Sequence, residues 1–157
     1  MKRENPGNKT IADNRYARYE YSIFDTFEAG IVLTGTEVKA ARGGKVQLKD
    51  GWAEIRGGEA WLENVHISEY SHGNIENHKP VHARKLLLHK QEINKLTGKT
   101  REKGLTLIPL KMYFKEGRIK CEIGVAKGKK IHDKRDTLRE REQEAEARTA
   151  MKARRYQ

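Results

Sequence analysis

At 157 residues the chain has room for one domain of roughly 100–130 residues with its own core, plus a substantial appendage. Lys and Arg outnumber Asp and Glu by 33 to 22, for a formal net charge of +11. No apolar run approaches the roughly 20 residues needed to cross a membrane, so the charge favours a polyanionic partner, nucleic acid over lipid. With 36% hydrophobic and 35% charged residues, the apolar side chains must be concentrated in one part of the chain for that part to fold.

The first stretch, "MKRENPGNKTIADN", carries basic residues but no apolar h-region, so no secretory signal is expected and the cytoplasm is the expected compartment. Tyr16, Tyr19 and Tyr21 then fall among Asn14, Arg15 and Arg18, a mixture suited to base stacking and phosphate contact, and equally to packing on a strand. "YEYSIFDTFEAGIVL" is rich in aromatic and β-branched residues and predicts one long bent strand or two consecutive ones. In "TGTEVKAARGG", Thr34 and Glu37 have capping-box spacing and Gly43-Gly44 supplies a stop, which predicts a short helix. "WAEIRGGEAWLENVHI" alternates on both sides of Gly57-Gly58 and predicts a tight hairpin.

"SEYSHGNIENHKPVH" has no period and reads as a loop; Pro80 between His78 and His82 prevents a regular helix from aligning both rings, so no metal site is expected. In "ARKLLLHKQEINKLTGKTREKG", Leu86, Leu87 and Leu88 precede Ile93 and Leu96 at helical spacing, with Gly98 where the helix should end. "LTLIPLKMYFKEGRIKCEIGVA" alternates through Leu105, Leu107 and Pro109, turns at "KEG", and alternates again through Ile119, Cys121, Ile123 and Val125. The single cysteine, Cys121, is therefore expected to be a buried, inert thiol. Short antiparallel strands interrupted by two short helices predict a mainly β fold, an OB-like antiparallel barrel of about five to seven strands. Neither a Gly-rich phosphate loop nor a nucleophile elbow nor a recognisable acid/base pair is present, so neither an enzyme nor a cofactor is expected.

After Val125 the alternation stops, which divides the chain into a barrel, residues 1–127, and a tail, residues 128–157. The tail holds ten Lys and Arg against six Asp and Glu. From Asp136 it is rich in helix formers, and Glu144 and Arg148 form a favourable i,i+4 pair. Leu138, Met151 and Tyr156 are too widely spaced for a continuous apolar stripe. Such a tail should be mostly disordered when free and helical only against a partner, or it serves as a solubilising appendage.

Four blocks, "FEAGIVLTGTEVKAAR", "ARKLLLHKQEI", "GLTLIPLKMYFKEGRIKCEIGVAKGKK" and "HDKRDTLREREQ", resemble in order the signature blocks of the small protein B family, the bacterial tmRNA-binding (SsrA-binding) proteins. The resemblance runs from about Thr10 to the C-terminus. It implies an OB-type barrel, working as a monomer, that holds the tRNA-like domain of tmRNA at its D-loop and elbow. It also implies a tail that becomes helical on the ribosome, in the decoding site and vacant mRNA channel, during rescue of ribosomes halted on messages without a stop codon.

By this resemblance the RNA contacts fall on Glu28, Leu87 and His89, with Glu28 accepting hydrogen bonds from base amino groups or a 2′-OH. Lys39, Arg42, Arg84 and Lys85 are expected phosphate contacts by charge and placement, with Asn14 and Arg15 beside them. In the tail, Gly128 should let the chain leave the barrel, Lys129 and Lys130 should meet phosphates, and His132 should stack on a base. Asp133, Lys134 and Arg135 should hold the tail along the RNA, and Met151 matches an apolar position of the family's tail helix. A generic single-stranded nucleic-acid-binding OB protein or a ribosomal accessory factor is the alternative; a single-strand binder has no use for a defined basic-His-basic motif where the chain leaves the barrel.

Overall fold

Strands carry the chain from Thr10 to Gly128. The computed structural model describes residues 9–71, 77–101, 104–129 and 138–149. In chain order they form β1 (Thr10–Asp13), α1 (Ala17–Glu20), β2 (Tyr21–Ile31), α2 (Gly35–Arg42), β3 (Val46–Gln47), β4 (Trp52–Arg56) and β5 (Glu59–Glu63). β6 (His66–Ile67), β7 (Arg84–Leu87), α3 (Lys90–Arg101), β8 (Leu105–Lys115) and β9 (Arg118–Gly128) follow, and a tail helix, α4, spans 138–149.

The large sheet has the order β1-β8-β4-β5-β7-β2-β9, and β9 pairs back with β8. The result is a closed antiparallel barrel. β9 occupies one edge of β8 along its length; β1 and β4 share the other, β1 beside Lys111 to Tyr113 and β4 at Leu107. Closure removes the open edges that a flat sheet of this size would expose. β3 and β6 form a separate small ribbon.

The predicted hairpins form where expected. Gly57 and Gly58 take φ of 57° and 75°, the left-handed pair that a tight two-residue turn requires, and Glu116 and Gly117 do the same at 52° and 78°. The Tyr21–Ile31 segment is one strand, bent by a bulge between Ile23 and Asp25. α1 has no counterpart in the sequence reading. It lies outside the barrel, where Ala17 packs with Ile108, Leu110 and Ala126 in a second, small apolar cluster.

α3 runs through Gly98 instead of stopping there. Leu96, fully buried in the main core, ties the helix to the barrel, and that burial outweighs the ~1 kcal/mol a helical glycine costs. A left-handed glycine comes only at Gly104, with φ 74°. Every residue of α4 is exposed; good helix formers and the Glu144–Arg148 pair at 3.8 Å support it locally.

Core packing is close at Gly51, where an added Cβ would lie 2.7 Å from Val65 Cγ2 and 3.0 Å from the Leu48 carbonyl oxygen. Gly51→Ala should therefore destabilise the barrel by about 1–3 kcal/mol, read as a lower urea midpoint at unchanged slope.

Candidate nucleic-acid interface

The interface is built on a buried ion pair. Thr34 and Glu37 form the capping box of α2: Glu37 N–H donates to Thr34 Oγ1 at 3.4 Å and Thr34 N–H to Glu37 Oε1 at 3.0 Å. The second oxygen of Glu37 accepts from Arg84 Nε at 2.5 Å and meets His82 Nε2 at 3.0 Å. Burial alone would raise the Glu37 carboxyl; the Thr34 amide and the Arg84 and His82 side chains outweigh it and hold the group below its ordinary value. Arg84 further donates to the carbonyls of Val65 at 2.6 Å and Pro80 at 3.0 Å.

This corrects one expectation. Arg84 is 1% exposed and fully occupied inside the protein, so it is no phosphate contact; it fastens β7 to α2. The strand then presents Lys85 and Leu87 at a fixed height beside β2.

Those residues open into a groove of about 650 Å³, whose lining includes Glu28, Lys85, Leu87, His89, Glu59 and Lys120. Four residues singled out in the sequence, Glu28, Lys85, Leu87 and His89, therefore meet in one place. Leu87 is 53% exposed, opposite Gly30, where a Cβ would come within 3.2 Å of Leu87 Cβ; the glycine lets the two strands pair without crowding the leucine. His89, exposed, precedes α3: its N–H donates to Glu92 Oε1 at 3.2 Å and its carbonyl receives Ile93 N–H at 3.0 Å. Lys85 Nζ pairs with Glu59 at 3.2 Å.

Glu28 is held from the other side. Tyr113 O–H donates to Glu28 Oε2 at 2.5 Å, and Lys115 Nζ lies 3.2 Å from both carboxylate oxygens. The Tyr113 hydrogen bond, with Lys115 and Lys120 behind it, holds the Glu28 carboxyl below its ordinary value against the opposing effect of burial, while burial and Glu28 push the Tyr113 hydroxyl well up. Glu28 is thus an ionised acceptor at the wall of the groove, suited to amino and hydroxyl donors rather than to phosphate. Tyr113, Lys115, Glu59 and Lys120 were not among the predicted site residues. The signal for Tyr113 and Lys115 was the period-two pattern of β8, which sets Lys111, Tyr113 and Lys115 on the face opposite Met112; which strand that face would meet was not legible.

The other predicted residues lie elsewhere. Lys39 and Arg42 are exposed on α2 and do not line the groove; Lys39 Nζ sits 5.5 Å from the Tyr70 ring centroid. Asn14 is a second correction. It is 8% exposed, its side-chain amide donates to the Pro109 carbonyl at 2.9 Å, and its N–H donates to that of Leu110 at 2.8 Å, so it pins the bulge of β8 instead of facing a ligand. Arg15 is exposed and lines a cavity of about 240 Å³ with Tyr16, Tyr19, Leu138 and Arg141, where α4 approaches α1. Tyr16 is 54% exposed beneath Lys49 Nζ, 4.6 Å from its centroid, whereas Tyr21 packs on the small outer cluster.

The chain does not leave the barrel at Gly128, which pairs with Tyr21; Lys129 N–H still donates to the Glu20 carbonyl at 2.8 Å, and its Nζ donates to that of Arg18 at 3.0 Å. Lys130, His132, Asp133, Lys134, Arg135 and Met151 lie outside the described residues. Among the described residues no cluster suits a metal ion, and no helix is long and apolar enough to cross a membrane. Burial pushes the Cys121 thiol up to about 12.

Comparison with known proteins follows the same outline. The family model described as "SmpB protein" matches residues 11–153. An "SsrA-binding protein" of Gloeothece citriformis (strain PCC 7424) is 58% identical over 97% of this chain and 99% of its own length. One of Enterococcus faecalis (strain ATCC 700802 / V583) is 60% identical over 85% of this chain and 87% of its own. A solved structure described as "tmRNA-SmpB: a journey to the center of the bacterial ribosome" superposes with a TM-score of 0.66 at 50% identity, over 76% of this chain and 85% of that one.

Proposed function

The chain belongs to the SmpB protein family, and we propose on that premise that it is an RNA-binding adaptor of trans-translation. It binds the tRNA-like domain of tmRNA, delivers it to stalled ribosomes, and lays its tail in the decoding site and vacant mRNA channel so that the nascent chain is tagged and released. The relatives' names and the ribosomal neighbour support this reading.

The observation that carries the RNA-holding part is that Glu28 of β2 meets Lys85, Leu87 and His89, from one short stretch at 85–89, around one groove. Leu87 offers an apolar platform for an unstacked base, His89 a ring or hydrogen-bonding edge, Glu28 an acceptor, and Lys85 a charge for the backbone. Lys39, Arg42 and Arg15 are outlying contacts for phosphates beyond the groove. We place the RNA-holding unit at residues 1–127 and the ribosome-engaging tail at 128–157, with Gly128 and Lys129 as the seam where the tail is still tied to the barrel. In the tail, Lys130, Lys134 and Arg135 neutralise the channel, His132 stacks, Asp133 keeps the register and Met151 gives the apolar contact. The protein performs no catalysis in this scheme and works as a monomer in the cytoplasm, where ribosomes are.

Glu28→Lys tests the groove. It adds attraction to any RNA while removing a charged acceptor worth roughly 1.5–3 kcal/mol, so the preference for tRNA-like over unrelated RNA should fall about 10- to 100-fold. Competition binding of the two RNAs measures it, and an unchanged preference would remove Glu28 from the interface.

A further inference from the structure

Glu28 is a wall shared by two concavities. Beyond it, away from the groove, lies a cleft of about 290 Å³ lined by Lys9, Thr10, Glu28, Lys111, Tyr113, Phe114 and Lys115. β1 and β8 form it, and their pairing shifts register between Thr10 and Ala12. Phe114 N–H donates to the Lys9 carbonyl at 2.7 Å, which fixes Lys9 beside the strand that carries the other two lysines.

The three lysines are not equivalent. Lys115 is already neutralised by Glu28 at 3.2 Å. Lys9 and Lys111 form no ion pair among the described residues, and Lys111 Nζ rests 5.5 Å from the Tyr113 ring centroid, held near the cleft by a cation–π contact. Two ammonium groups that form no ion pair among the described residues, in a concave site next to a carboxylate and a phenol that are occupied with each other, select an anion that carries no base-reading information. The cleft's volume of about 290 Å³ is of a size for one ribose-phosphate unit.

We propose that this cleft seats the sugar–phosphate backbone of the same RNA strand whose base edge Glu28 meets in the groove, with Lys9 and Lys111 on the phosphates. The inference rests on the groove reading above. Backbone and base are then gripped on opposite sides of one wall, and the Tyr113 and Lys115 hydrogen bonds offset the Glu28 charge that the phosphates would otherwise meet. Lys9 and Lys111 fix where the strand lies, whereas the groove reads what it is.

The experiment measures binding of the full chain to a tRNA-like RNA and to an unrelated duplex of equal length, over a salt series, for the wild type, Glu28→Lys, and the double variant Lys9→Gln, Lys111→Gln. Each phosphate contact contributes roughly 0.7–0.9 to the slope of log K against log salt. The double variant should therefore lose about 1.5 from that slope on both RNAs, with the ratio between them preserved. A wild-type slope in the double variant overturns the cleft while leaving the groove standing. A lost ratio in the double variant also overturns it, since the lysines would then touch bases. Failure of the groove reading appears separately, as an unchanged ratio in Glu28→Lys. Lys9 and Lys111 support no core contact, and near-ultraviolet circular dichroism verifies that the double variant is folded.

Discussion

A chain ending at Lys129 should bind tRNA-like RNA nearly as tightly as the full chain and fail to rescue ribosomes stalled on a message without a stop codon. The cut falls there, and not after Val125 where the sequence alternation stops, because β9 runs to Gly128 and Lys129 N–H is the last described backbone donor to the barrel, at 2.8 Å. An earlier cut would unzip the end of β2 and mix a folding defect with the loss of the tail. Removal of residues 130–157 takes away nine Lys and Arg and six Asp and Glu, a net loss of three positive charges that leaves the groove and the cleft untouched. Any residual drop in RNA affinity should shrink as salt rises. His132→Ala should reproduce part of the rescue defect, since a ring stacked on a base is worth about 1–3 kcal/mol. Rescue and RNA affinity are measured in parallel; full rescue by the shortened chain would reduce the tail to a solubilising appendage, and equal losses in both assays would merge it with the barrel's RNA surface.

Replacing Arg84 should have the largest effect on stability. Arg84→Met leaves Glu37 buried without its charged partner and strips donors from the Val65 and Pro80 carbonyls, which should cost about 3–5 kcal/mol in urea unfolding. The pH dependence should change as well. Because the Glu37 carboxyl is depressed in the folded state, its contribution is complete above the ordinary value of 4.5 and is lost as pH falls through the lower folded value. Without Arg84 the folded value rises, so less stability is gained from ionisation and the acid limb becomes shallower. A loss well under about 1 kcal/mol would mean that His82 and the Thr34 amide suffice to hold the carboxylate.

Both expectations depend on distinctions that the sequence draws only in part. Turn chemistry and capping are local, so Gly57-Gly58, the Glu116-Gly117 turn and the Thr34/Glu37 box are legible from neighbours a few residues away, as is the alternation that makes Cys121, Ile123 and Val125 core residues. Gly98 misleads for the same reason: the local cost of a glycine is visible in sequence, while the burial of Leu96 that overrides it is not.

By itself, then, the sequence determined the strand and turn pattern, the short helix after Thr34, the basic character of both parts and the four ordered blocks that carry the family resemblance. Only the tertiary structure decided which of several chemically similar charges face a ligand. Arg84 and Lys85 are adjacent, yet alternation along β7 turns the first inward to Glu37 and the second outward to the groove. Asn14 looked like a surface contact, but the bulge in β8 leaves a carbonyl that its amide satisfies. Glu28 was named from its own stretch, whereas Tyr113 and Lys115, 85 and 87 residues away, became its partners because barrel closure brings β2 and β8 to either side of β9. A side chain's own chemistry is written at one position in the chain; the partner that uses it is set by strand register and closure, which depend on packing across the whole barrel.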